Sequence, residues 1–98
     1  MNDFITNTLS EIAELIDKKN HDYGNAYAKT CNLFAGYPSE NVYSVSKIME
    51  KAFRIYTLGA SANQVPGEGL EDALKDCIGY CTLYLNELNN RKNDRHKN

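Results

Sequence analysis

Apolar residues recur every three or four positions through four separate stretches of this chain, and that period confines it to an all-α fold. In the first stretch, Phe4 to about Lys19, the repeat is carried by Ile5, Leu9, Ile12, Ala13, Leu15 and Ile16, with Glu11, Glu14, Asp17 and Lys18 between them. A second, shorter helix is predicted from about Ala26 to Ala35, with Tyr27, Cys31 and Phe34 on one side. The third starts near Ser39 or Asn41, either of which can cap a helix, and runs through Val42, Val45, Ile48, Met49, Ala52, Phe53, Tyr56 and Leu58. The fourth, Leu70 to about Leu88, repeats the pattern with Ala73, Leu74, Cys77, Ile78, Cys81, Tyr84 and Leu85. Nowhere does a strand-like alternation persist. Gly24, Gly36-Tyr37-Pro38 and the Gly59 to Gly69 segment punctuate the helices, so a compact four-helix bundle with roughly antiparallel neighbours is the expected architecture.

A chain of 98 residues affords one modest core and buries about 65% of the surface its unfolded form exposes. Residues 1–89 are therefore predicted to form a single helical domain. Residues 90–98 contain nothing apolar and are predicted to leave it as a disordered polar tail. The apolar faces of the third and fourth helices, together with seven tyrosines and three phenylalanines, exceed what so small a core hides, and a homo-oligomer is the expected assembly.

The net charge of −2 includes four cations in the tail, Arg91, Lys92, Arg95 and Lys97, so the body is more acidic still. That balance argues against a duplex nucleic-acid partner. No apolar run approaches the roughly 20 residues of a membrane span, and the N-terminus lacks the basic and apolar regions of a signal peptide, which makes the cytoplasm the expected location. Three cysteines, none in a Cys-x-x-Cys spacing, do not make a disulfide framework or a zinc site; Cys77 and Cys81 are expected as small apolar filler in a helical seam.

Candidate chemistry gathers on the third and fourth helices. Lys47, Glu50, Lys51 and Arg54 share one helical face, and Asp72 and Asp76 are one turn apart on another, so antiparallel packing sets acids against bases. Two outcomes are open: an ion-pair network between helices, or a site where carboxylates hold Mg²⁺ and Lys51 or Arg54 meets a phosphate. Tyr80, two turns from Asp72, can stack on a base or join the core. Spacing alone does not separate these.

Three segments, Lys18-Lys-Asn-His-Asp22-Tyr23-Gly24-Asn25, Lys47-x-x-Glu50-Lys51-x-x-Arg54 and Glu71-Asp72-x-x-x-Asp76-x-x-Gly79-Tyr80, resemble small phage and bacterial proteins related to the MazG-like all-α nucleoside triphosphate pyrophosphatases. The resemblance spans roughly residues 10 to 88. It implies an oligomeric helical bundle that binds Mg²⁺ through a Glu-Glu-x-x-Glu motif and a Glu-x-x-Asp motif and cleaves nucleoside triphosphates to monophosphate and pyrophosphate.

The chain departs from that pattern where the metal would bind. Aligned on Glu50, the carboxylate motif falls on Glu50, Lys51 and Arg54, so cations replace two of its three acids. Asp72 and Asp76 stand four rather than three apart. Two cations at the metal position repel Mg²⁺ and attract phosphate instead. The leading expectation is therefore a small-nucleotide binder with no required cofactor, using Lys47, Lys51, Arg54 and Tyr80, with Asp22 and Tyr23 from the first resembling motif. A phage origin, implied by the resemblance, would place it in the host cytoplasm sequestering a nucleotide signal of host defence. The alternative is an Mg²⁺-dependent pyrophosphohydrolase whose metal ligands are Glu50, Asp72 and Asp76, aided by Glu11 or Glu14, its catalytic residues otherwise unassigned. A third is a protein-interaction module that inhibits a partner through its tyrosine-rich surface.

Overall fold

In a computed structural model of the protein, residues 2–22, 25–37, 40–60 and 69–96 are described, the side chains of 22 and 94–96 excepted. They form four helices, α1 (Asp3–Asp22), α2 (Ala26–Leu33), α3 (Val42–Ala60) and α4 (Leu70–His96), packed as a compact helical bundle. Among the described residues there is no strand.

Local chemistry sets most helix ends. The Asn2 carboxamide oxygen accepts the Phe4 N–H at 2.7 Å and satisfies one of the orphan donors that open α1. That helix runs three residues beyond the predicted Lys19, because Asn20, His21 and Asp22 are tolerated in a solvated last turn. The break comes at Asn25, held in the left-handed conformation at φ 60°, which asparagine adopts more readily than most residues. Asn25 also stands at the N-cap of α2, where its side chain makes no capping bond. The turn expected of Gly24 lies outside the described residues. At the start of α3 the Asn41 carbonyl accepts the Val45 N–H at 3.0 Å, in keeping with one of the two predicted starts.

The antiparallel α3–α4 hairpin is the frame of the molecule. Gly69, at φ 77°, opens α4 in a conformation that costs other residues, and a side chain there would meet Leu58 at 3.5 Å. From that closed end the partners run in opposite directions: Lys51 and Arg54 face Asp76, Lys47 lies over Tyr80, and Asn41 meets Arg91. α1 packs on α4 where Gly79 removes a side chain; Ile16 carbons lie 3.9 Å from the position a Cβ would take.

Two expectations are corrected. α4 does not stop near Leu88 but continues to His96, into the stretch predicted to be a disordered tail. Arg91 explains the extension: its guanidinium donates to the Asn41 side chain and to the Glu40 carbonyl at 3.3 Å, and lies 3.7 Å from the Glu40 carboxylate, so a residue with nothing apolar to bury is tied down electrostatically. The core is also smaller than the apolar pattern suggests. Among the described residues Ile12, Tyr27, Cys31 and Ala73 are the buried hydrophobic ones, whereas Leu9, Leu15, Val45, Met49, Phe53, Leu74, Ile78 and Leu85 are exposed. Cys77 is half-buried as filler, but Cys81 is exposed. The reason is geometric: besides α3 and α4 themselves only two helices, the long α1 and the short α2, are there to cover the hairpin, and much of its apolar surface stays in solvent.

Candidate functional site

A cleft of about 340 Å³ opens where α1, the start of α2, α3 and α4 meet. Its apolar lining comes from Ile12, Leu15, Ile16 and Leu83, with Gly79 contributing no side chain. Four ionisable side chains other than tyrosine line it: Lys19 from α1, Lys51 from α3, and Lys75 and Asp76 from α4. Three ammonium groups against one carboxylate leave an excess of two positive charges in a confined, partly apolar space, where the field of each is stronger than in bulk water.

Aromatic rings line the same cleft. Tyr27, Tyr43 and Tyr80 all line the cleft; Tyr27 lies 5.3 Å from Tyr43 and 6.1 Å from Tyr80, centroid to centroid, in tilted pairs. Lys51 sits 5.7 Å over the Tyr80 ring, and Lys47 lies 5.9 and 6.0 Å from Tyr43 and Tyr80. Tyr43 and Tyr80 are half-buried, so their electron-rich rings remain partly open to a base, whereas Tyr27 is buried.

A polar knot beneath the rings holds them. Tyr27 shares a hydrogen bond with Ser44, which is fully buried, and the Cys31 thiol lies 3.7 Å from the same hydroxyl. Burial pushes the Tyr27 phenol up to about 12, against the lowering effect of the Ser44 bond, with the Cys31 thiol and the buried Glu87 adding to the rise. The same burial raises the Cys31 thiol, which keeps it protonated and unreactive. Cys77 is likewise raised, by burial first and Cys81 next.

The residues singled out in the sequence fall in different places. Lys51 and Asp76 line the cleft and pair at 3.8 Å, and Tyr80 forms part of its wall. Arg54 reaches the same Asp76 carboxylate at 3.9 Å but is half exposed and is not among the lining residues. Lys47 also stands outside the lining, paired with Glu50 at 3.8 Å. Asp22 ends α1, its side chain lying outside the described set, as does Tyr23 entirely. Glu11 and Glu14 are exposed on α1.

The metal set of the enzymatic alternative is not assembled. Among the described residues no three His, Cys, Asp or Glu side chains converge. Glu50 is held by Lys47, Asp72 is exposed, and Asp76 is flanked by two cations, so the donors present do not fit a divalent ion and no step is derived through one.

Four lining residues escaped the sequence reading. Lys19 and Lys75 were hidden because a lysine beside acids on a helix reads as a solvated face; their place inside two of the resembling segments was the available signal. Tyr27 was hidden because helical spacing groups it with Cys31 and Phe34 on an apolar side, and Tyr43 because it falls outside the apolar repeat of the third helix.

Fold and cleft together define an all-α domain with a cationic, tyrosine-walled pocket between its helices. The chain belongs to the nucleotide modification associated domain 1 family, whose model matches residues 19–88. That span holds every charged and aromatic lining residue of the cleft. No curated protein and no solved structure gives a significant match. None of the helices described is long and apolar enough to cross a membrane.

Proposed function

We propose that the cleft binds a phosphorylated nucleotide and holds it rather than hydrolysing it. The observation that carries this reading is the convergence, in one cleft, of three lysines from three helices with three tyrosines. Phosphate oxygens are met by Lys51, Lys75 and Lys19, and the base lies against Tyr80 and its ring neighbours. The cations supply the charge neutralisation that Mg²⁺ supplies in the MazG-like enzymes, from which we take the domain to descend. Asp76 orients Lys51 and offers a single acceptor to a base or ribose. A family associated with nucleotide modification is a natural setting for such a cleft, and a phage-encoded member would act by keeping a nucleotide signal of host defence out of circulation.

The test is calorimetric titration with nucleoside mono-, di- and triphosphates in the presence of EDTA, alongside native mass spectrometry of protein purified from cells. Metal-independent binding that strengthens with phosphate number is expected. Binding that appears only with Mg²⁺, together with pyrophosphate release abolished by Asp76→Asn, would replace this reading with the enzymatic one.

A further inference from the structure

A second cleft, between α2 and the C-terminal part of α4, holds a buried carboxylate without a countercharge, and we infer that it binds a small organic ammonium ion. The cleft measures about 420 Å³, within the range of small-molecule sites. It shares no lining residue with the lysine-lined cleft described above. The polar knot stands between the two: Tyr27 lines one, Cys31 lines the other, and both meet the Ser44 hydroxyl.

The carboxylate is that of Glu87, which lines the cleft and is only 8% exposed. Among the described residues none makes a hydrogen bond or an ion pair with it, and its oxygens are not sealed in, so they open on the cleft. Arg91, one turn further along α4, is the cation of the lining, but its guanidinium is spent elsewhere. It donates to the Asn41 side chain and the Glu40 carbonyl and lies 3.7 Å from the Glu40 carboxylate, which balances its charge. The Cys31 thiol and the Tyr27 phenol, both raised by burial first and further by the charge of Glu87, stay neutral near pH 7 and supply no countercharge. An ionised carboxylate withdrawn from water is costly unless it is paired. A ligand with one positive charge and several N–H donors supplies that pairing.

The rest of the lining selects among cations. Asn32 and Asn90 bring carboxamide oxygens that accept N–H donors, and Ala28 and Ala35 add small apolar surface suited to a short carbon chain. The three donors of a primary ammonium match one carboxylate and two carboxamides in number. A divalent metal ion asks for a shell of about six or more oxygen ligands, and among the described residues no three acidic, histidine or cysteine side chains converge. An anion is repelled by Glu87.

The test is thermal melting in butylammonium chloride and, at equal concentration, in tetramethylammonium chloride, which carries the same charge but no N–H donor. At about 10 mM, tenfold above a dissociation constant of about 1 mM, butylammonium is expected to raise the melting temperature by about 5 °C or more. Tetramethylammonium is expected to leave it unchanged. Glu87→Gln, which keeps the shape and loses the charge, is expected to abolish the rise. A read-out independent of any variant is the side-chain carboxamide resonances of the parent protein by NMR: those of Asn32 and Asn90 should move on titration with butylammonium, and that of Asn7, on α1, should not. Equal melting in the two salts, a rise that survives Glu87→Gln, or Asn32 and Asn90 resonances that stay in place would each overturn the inference.

Discussion

Replacing Lys51 by methionine separates a phosphate-binding role from a structural one, because the stem that packs over Tyr80 is kept and only the ammonium is lost. Lys51 stands 3.8 Å from the Asp76 carboxylate, with both side chains about four-fifths buried or a little less. At an effective dielectric constant of about 20, unit charges so separated attract by about 4 kcal/mol before desolvation is counted. Most of that is offset by the cost of withdrawing the two groups from water, and Asp76 keeps Arg54 at 3.9 Å as a second partner. The net loss of stability should therefore be about 1 kcal/mol. A lost charge-assisted contact to phosphate is worth about 1.5–3 kcal/mol, which weakens nucleotide affinity roughly 10- to 150-fold. Arg54→Ala is the control: its guanidinium touches the same carboxylate from outside the cleft, so affinity should change less than about twofold. Calorimetric titration and thermal melting of the two variants supply all four numbers. The reasoning is refuted if Lys51→Met binds nucleotide as the parent does, or if Arg54→Ala weakens binding as much.

Two further outcomes follow from the polar knot and from the end of α4. The Tyr27 phenol, raised to about 12 from an ordinary value of 10.0, keeps its proton in the folded state where the unfolded chain has lost it; folding stability therefore falls as pH rises from 10 to about 12, by as much as about 3 kcal/mol. Denaturant unfolding across that window should show this loss in the parent and a shallower one in Tyr27→Phe, and equal slopes would mean that the phenol does not titrate from a buried position. Arg91→Ala should lower stability by about 1 kcal/mol and the melting temperature by about 4–8 °C, since it frees α4 from Glu40 and Asn41; an unchanged melting curve would restore the reading of residues 90–98 as a tail that contributes nothing.

Periodicity by itself determined the number and type of helices, because a 3.6-residue repeat of apolar side chains is a property of local chain geometry and needs no partner to be legible. It also determined that α3 and α4 set acids against bases, and Lys51 with Asp76 is that meeting. The end of α4 was beyond it: Arg91 is held by residues fifty positions away, and an isolated polar helix end carries no mark of such a contact. Nor does sequence spacing say which side of an apolar helix will be covered, so Ile48 and Met49, or Cys77 and Cys81, read alike until α1 is placed at Gly79. The cleft is the clearest case. Lys19, Lys51 and Lys75 are three ordinary lysines along the chain, and it is the meeting of three helices near Gly79 that brings them into one cleft with Tyr27, Tyr43 and Tyr80. Local geometry is written in short-range repeats, whereas a site is a coincidence in space of residues whose separation along the chain carries no energy until the tertiary fold closes it.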